Sequence, residues 1–537
     1  MLTNRWSKSW DPFPLLLPLA AWSFLSLSFF VSVCISSFPC LIRARMAENK
    51  EPKTVIIGCG ISGISAAHRL LKAGFHNVRI LEATARSGGR IKTAKLGNTI
   101  TEIGASYIHG PSEENPVFCL SRDYDLLDPE ALTEENQANA VAERPPLVPN
   151  WFSSSGQRPI AEHMIPAVEM HVDLMEDLER IKNKEETPWA SVGDFIRSEL
   201  PQRAAERWKD KDETTRELLM CAISTLLKLE CCDSAAHSMD DLDLAGFTLF
   251  KNLDGLDCTI PSGMEALIES LMSELPCDLV SYNHPVRCVH WNNAGDGEHV
   301  VTLECEDGER IAADHVIVTI PLGYLKKHHS TLFCPPLPVH KLHSLQKLGF
   351  GTCDKIFVEF DSPWWDPDCE VIYLLWTGKD DPSDQVFDIR KSWMHKIVGF
   401  TVHRPSERNS HVLCGWIAGQ EAEYMETLSE EVVRRSVTEL VHLFTRNPII
   451  TPRRILRTQW FHDPWTCGSY SHPAVGCTAQ DLENLMEPLP SKGTQPLQVL
   501  FAGEATHPCH YSTVHGALLT GWREADRLIS HYSCLNH

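Results

Sequence analysis

TVIIGCGISGISAAHRLLKAGFHNVRILEA, residues 54–83, is the stretch that decides the fold. An apolar run opens it, glycines follow at 58, 60 and 63, a helical period carries it to about Lys72, and a second apolar run ends at Leu81. That order reads as strand, glycine turn, helix and strand. Gly58, Gly60 and Gly63 let the backbone approach a pyrophosphate at the helix N-terminus. Glu82, closing the second strand, can accept from the hydroxyls of an adenosine ribose. The competing reading is a turn that is merely tight. The context of strand and helix around the glycines favours nucleotide binding.

The chain has 537 residues, long for one hydrophobic core, which predicts two or more interleaved domains. Its hydrophobic fraction of 43% and charged fraction of 22% are those of a globular enzyme. A net charge of −22 argues against a nucleic-acid partner and suits a cationic one. The 19 cysteines are scattered without a C-x-x-C pair, so neither a metal knuckle nor a disulfide framework is expected. The absence of an N-glycosylation sequon leans toward an intracellular compartment. Against that, Pro12 to Ile42 carries no charge and is long enough to span a bilayer. Residues 1–45 read either as a targeting or membrane segment or as an extension ahead of a second start at Met46, and membrane contact is expected only through residues 12–42.

Farther along, residues 145–253 are mostly helical in pattern, ADHVIVTIPLGYL is a buried strand ended by Pro321, and SEEVVRRSVTELVHLFT is a helix capped by Ser429. GFGTCDKIFVEF, residues 349–360, alternates at the strand period. Ile356, Val358 and Phe360 face one way; Lys355, Phe357 and Glu359 face the other. A lysine on so apolar a strand is either a solvated end or a group with a task.

Three further runs give the chain a family resemblance. ATARSGGR, residues 83–90, and ITEIGASYIHG, residues 100–110, follow the nucleotide unit, and FAGEATHPCHYSTVHGALLTGWREA, residues 501–525, closes the chain. Together they resemble the FAD-dependent amine oxidases, from about Lys53 to Ile529. Within that family LECCDSAAHSMD, LGFGTCDKIFVEF and CGSYSH are most similar to the polyamine oxidases, on the side of those that act on N-acetylated polyamines. The resemblance implies a discontinuous α/β FAD-binding Rossmann-like domain (residues 53–135, 255–325 and 495–532). It is interleaved with a mixed-sheet and helical substrate domain (residues 136–254 and 326–494).

It also implies site residues. Gly58, Gly60, Gly63, Glu82, Arg90, Gly104, Glu504, Thr513 and Val514 would contact FAD. His109 and Lys355 would be catalytic, Lys355 by holding a water against the flavin N5. Tyr470, Tyr107 and Thr513 would line the substrate slot. Glu102 and Glu230 could attract a cationic amine, although ordinary structural pairing accounts for them as well. Ser469 stands where relatives with a covalent flavin carry cysteine, which implies a non-covalent FAD. No metal is expected. The implied reaction oxidises N1-acetylspermine or N1-acetylspermidine with oxygen to a shorter polyamine, 3-acetamidopropanal and hydrogen peroxide, in a monomer. Alternatives are a spermine oxidase acting on the free polyamine and a flavin-free interaction protein on the same fold. Tyr107 in place of the usual tryptophan, and Pro508, Cys509 and His510 ahead of Tyr511, depart from the family pattern beside the pocket. The implied compartment is peroxisomal or cytoplasmic, although the final Leu-Asn-His is no S-K-L address.

Overall fold

A computed structural model describes residues 51–138, 149–181, 188–292, 300–378, 388–402, 411–490 and 496–534. The apolar run at residues 12–42 lies outside them. Among the described residues no helix is long and apolar enough to cross a membrane.

Thr54–Ile57 and Val78–Leu81 pair in parallel, joined by the helix Ile61–Lys72. Three more strands complete a five-stranded parallel sheet in the order Val499–Phe501, His315–Val318, Thr54–Ile57, Val78–Leu81, Val280–Ser281. The sheet is thus assembled from segments far apart in the chain. All four residues of Thr54–Ile57 are buried, as a parallel strand covered on both faces requires. The terminal helix Val514–Cys534 packs on Ile61–Lys72 at close range. A Cβ on Gly521 would fall 2.1 Å from the Ser62 carbonyl, and Ser65 Oγ donates to the Leu518 carbonyl at 3.0 Å. Small residues therefore set the distance between these helices.

The second large sheet has six strands in the order Arg454–Arg457, Cys353–Glu359, Val412–Ala418, Gly399–Val402, Val371–Leu375, Pro149–Ser153. It is antiparallel except at its last pair. The alternation read from residues 349–360 holds: Ile356, Val358 and Phe360 enter one core with Val433, Val437 and Phe444 of the helix Glu430–Thr445. Ser429 caps that helix, its Oγ accepting from Val432 N at 3.3 Å. Phe357 packs on the opposite face with Leu96, Ile103 and Trp460. Pro149–Ser153 departs from the helical pattern expected for residues 145–253, because five residues carry too little periodicity to reveal a strand whose partner is Val371–Leu375. The helices Ala161–Ile181, Val192–Arg207 and Glu213–Asp233 do follow that pattern and share one apolar core beside this sheet.

Candidate active site

The glycine turn is shaped for a diphosphate. Gly58 has φ 107°, in the region that favours glycine, and a Cβ on Gly63 would lie 2.1 Å from the Gly58 carbonyl. At Gly60 a Cβ would meet nothing within 4 Å. The helix that follows has no side-chain cap and no acidic residue in its first turn, so its positive end faces open space. Glu82 braces the turn, with Oε2 accepting from Cys59 N at 2.8 Å and Oε1 from Thr84 N at 2.9 Å. These features fit a dinucleotide.

Farther toward the long sheet, Glu504 is 4% exposed and is the hub of a second cluster. Its Oε1 accepts from Arg90 Nη1 at 2.8 Å, while Oε2 accepts from Ser471 Oγ at 2.6 Å and Ser512 N at 2.8 Å. Arg90 Nη1 also donates to the Ser469 carbonyl at 2.8 Å. Gly104 crosses this region so tightly that a Cβ would sit 1.9 Å from the Arg90 carbonyl. Thr513 Oγ1 donates to the His510 carbonyl at 2.8 Å and accepts from Gly516 N at 2.9 Å, so its side chain starts the helix that Val514 opens. The unusual loop before Tyr511 is tied down too: Lys251 N donates to the Cys509 carbonyl at 2.9 Å, and burial lowers the His510 ring below its ordinary pKa.

Lys355 is buried. Nζ donates to the Glu102 carbonyl at 2.9 Å, the Gly104 carbonyl at 2.6 Å and Ser106 Oγ at 2.6 Å, and it lies 5.0 Å from the centre of the Trp416 ring. Burial lowers its pKa, opposed by Cys414, Glu102 and Cys353. An ammonium has three donors, and here all three are placed on the segment Glu102–Ser106.

Tyr470 Oη donates to the Cys232 carbonyl at 2.5 Å, which pins its ring beside the C-terminal turn of Glu213–Asp233. Ser469 Oγ accepts from Cys353 N at 2.9 Å and donates to the Cys353 carbonyl at 2.8 Å. Cys467 Sγ donates to the Pro464 carbonyl at 3.6 Å. His109 Nδ1 lies 2.7 Å from Asp257 Oδ2, and its ring centre is 6.0 Å from that of Tyr107. Burial raises the Tyr107 hydroxyl far above its ordinary value.

The two candidate carboxylates differ. Glu102 spends Oε1 on Met264 N at 2.6 Å and Oε2 on Thr93 Oγ1 at 2.9 Å; both serve the scaffold. Glu230 pairs with His171 at 3.2 Å. Beside Glu230 stands Asp233, solvent-accessible in a gap that protein encloses, with its pKa pushed up to about 7 by desolvation and then by Glu230. His109 opposes that rise and Asp257 adds to it, so the charges of these four groups act on one another. Sequence reasoning missed Asp233 and Asp257. Asp233 lay within LECCDSAAHSMD, a run used only for its resemblance; Asp257 lies in a loop with no pattern to mark it.

A parallel dinucleotide-type sheet and a glycine turn shaped for a diphosphate, with a carboxylate-rich neighbourhood around Asp233, are the marks of a cofactor-dependent enzyme. The chain belongs to the flavin-containing amine oxidoreductases, whose family pattern matches residues 61–529. It is 44% identical over 498 residues to a peroxisomal N(1)-acetyl-spermine/spermidine oxidase of Bos taurus, covering 91% of this chain and 96% of that protein. The Homo sapiens protein of the same description is 44% identical over 488 residues, covering 89% and 95%. Polyamine oxidase 1 of Oryza sativa subsp. japonica is 32% identical over 525 residues, covering 90% and 98%. Among solved structures a putrescine oxidase double mutant superposes with a TM-score of 0.62 at 20% identity, over 89% of this chain and 99% of that one, which shows the shared fold.

Proposed function

We propose that this protein binds FAD without a covalent link and oxidises N1-acetylspermine and N1-acetylspermidine with oxygen. The observation that carries the amine reading is the mutual charge influence of Glu230, Asp233 and Asp257 beside His109, an anionic neighbourhood suited to a polycation. The acetylated substrate is supported by the descriptions of the cattle and human relatives, which also support a peroxisomal compartment. Non-covalent binding is supported by Ser469, whose hydroxyl is occupied by the Cys353 main chain, and by Cys467, which is buried and bonded to Pro464.

In this reading FAD supplies the two-electron acceptor that oxygen returns to its oxidised state as hydrogen peroxide. The substrate amine gives up a hydride from its α-carbon and a proton from nitrogen. Water adds to the resulting C=N bond, which breaks to an aldehyde and a shorter amine. His109, with its proton held on Nδ1 by Asp257, presents Nε2 as an acceptor for the substrate N–H. Tyr470 and Tyr107 wall the slot, and the carboxylates hold the distal ammonium groups. Glu504 and Arg90 orient the cofactor's middle, and Gly58, Gly60 and Gly63 admit its diphosphate. Lys355 fixes the wall Glu102–Ser106, and its lowered pKa favours a neutral amine that would keep two donors on that wall and offer its lone pair to a water. The FAD domain is assigned to residues 53–135, 255–325 and 495–532 and the substrate domain to residues 136–254 and 326–494, within a monomer.

Peroxide release during a scan of free and acetylated polyamines tests the reading. Turnover of N1-acetylspermine well above that of free spermine is expected, with flavin freed into the supernatant by acid precipitation. Preference for free spermine would make the protein a spermine oxidase, and flavin that stays with the pellet would refute the non-covalent assignment.

A further inference from the structure

At the far edge of the nucleotide sheet a histidine, a thiol and a carboxylate converge outside the site described above. His284 follows the last parallel strand, Cys305 ends the strand Val301–Cys305, and Asp307 sits in the hairpin turn leading to Arg310–Ala313. One nitrogen of His284, Cys305 Sγ and a carboxylate oxygen of Asp307 all lie within 4.8 Å of one another. We propose that these three side chains bind a zinc ion, with solvent in the fourth position.

The geometry is that of a prepared site. His284 Nδ1 and Asp307 Oδ2 are 3.5 Å apart, too long for a good hydrogen bond. It is close to the edge of about 3.4 Å that a tetrahedron of zinc-bound nitrogen and oxygen would have. Asp307 Oδ1 is used, accepting from Glu309 N at 2.9 Å, which fixes the turn and turns Oδ2 toward the histidine. The other ring nitrogen, Nε2, lies 2.8 Å from Glu309 Oε2 but is not aligned with it as a hydrogen bond, and Glu309 is itself gripped by Arg79 through Nη1 at 3.0 Å and Nη2 at 3.4 Å. A carboxylate behind the non-ligating nitrogen is the usual support of a metal-bound histidine.

Cys305 is 1% exposed within an apolar core, and its Sγ makes no hydrogen bond among the described residues, so no protein donor competes with a metal for the sulfur. Asp307 is 58% exposed on its side chain, which leaves an entry path and room for water. Sulfur with nitrogen and one carboxylate oxygen selects a borderline-soft ion such as zinc over calcium or magnesium. Binding would also tie the hairpin to the main chain at His284, whose N donates to the Glu82 carbonyl at 2.8 Å.

The test uses the full chain, purified without a histidine tag, loaded with zinc chloride and dialysed against metal-free buffer. Elemental analysis should find about one zinc per chain. Asp307→Asn is exposed and should fold normally, and Cys305→Ser keeps the thiol's shape; each should retain roughly a tenth or less, while Glu309→Gln should weaken affinity about 10- to 100-fold. Zinc should raise the Tm of the wild type and leave that of Asp307→Asn unchanged. Cobalt in place of zinc should give a thiolate-to-metal absorption that Cys305→Ser removes. A wild type without zinc, or zinc retained by both Asp307→Asn and Cys305→Ser, overturns the proposal.

Discussion

The two walls of the active site handle charge in opposite ways. On one, the cation Lys355 places three bonds on Glu102, Gly104 and Ser106, so its charge is absorbed by the scaffold. On the other, desolvation and then the neighbouring carboxylates Glu230 and Asp257 push the Asp233 pKa up to about 7. Like charges held together cost free energy that a bound cation recovers. The lesson is that a buried charge signals function through what it leaves uncompensated. On the proposed function, the acidic wall is the one that would take a cationic guest, and the lysine wall the one that would hold its surroundings rigid.

Replacing Lys355 by Met should produce the largest effect and break the comparison if it does not. The substitution strands the Glu102 and Gly104 carbonyls, each costing about 1–3 kcal/mol when buried without a partner. A lower Tm is therefore expected together with a roughly 100-fold loss in one half-reaction. Rapid-mixing absorbance separates flavin reduction from reoxidation. Wild-type rates in both would reduce Lys355 to a structural strut.

Asp233→Asn sharpens the comparison with an effect of intermediate size and two opposite signs. The carboxyl titrates near the ordinary aspartate value of 3.8 when unfolded and at about 7 when folded, so the folded state binds more protons between those values. Stability therefore falls as pH rises from about 4 to about 7, and the asparagine variant should lose that slope and be more stable above it. Substrate binding should move the other way. Above pH 7 the wild-type Asp233 is ionised and attracts the cation, so the variant's KM should be about 10-fold higher there, with the two proteins converging below pH 6. A variant that is both less stable and unchanged in KM would assign Asp233 to the scaffold.

The nucleotide unit was legible because its signals are local: glycines at 58, 60 and 63 between apolar runs need no tertiary information. So was the two-faced strand around Lys355, whose period survives in the packing of Ile356 and Phe357. Asp233 and Asp257 were illegible for the opposite reason. Their charges act on one another from the end of one helix and a separate loop, and nothing in either segment announces the other. The cluster of His284, Cys305 and Asp307 escaped for the same cause, since its ligands come from two segments that only the sheet edge brings together. Pro149–Ser153 is a strand by virtue of its partner alone.

Glu102→Gln should have the smallest effect on catalysis, and that smallness is informative. Glu102 is a carboxylate within the motif that the resemblance sets beside the flavin, and on charge alone it ranks with Glu230 as an anchor for the substrate. Its oxygens, however, accept from Met264 N and Thr93 Oγ1, and the atom that meets Lys355 is its backbone carbonyl, which glutamine keeps. Burial raises its pKa against those bonds and against Lys355. Glutamine retains one acceptor oxygen, but its amide meets a donor at the other position. The cost should appear as a lowered Tm of about 1–3 kcal/mol in unfolding free energy. KM for a polyamine should stay within about twofold of wild type, because no substrate ammonium is held there. Steady-state kinetics on the two variants side by side decides the matter. If Glu102→Gln raises KM as much as Asp233→Asn does, the lysine wall also binds the guest and the division of labour between the walls fails.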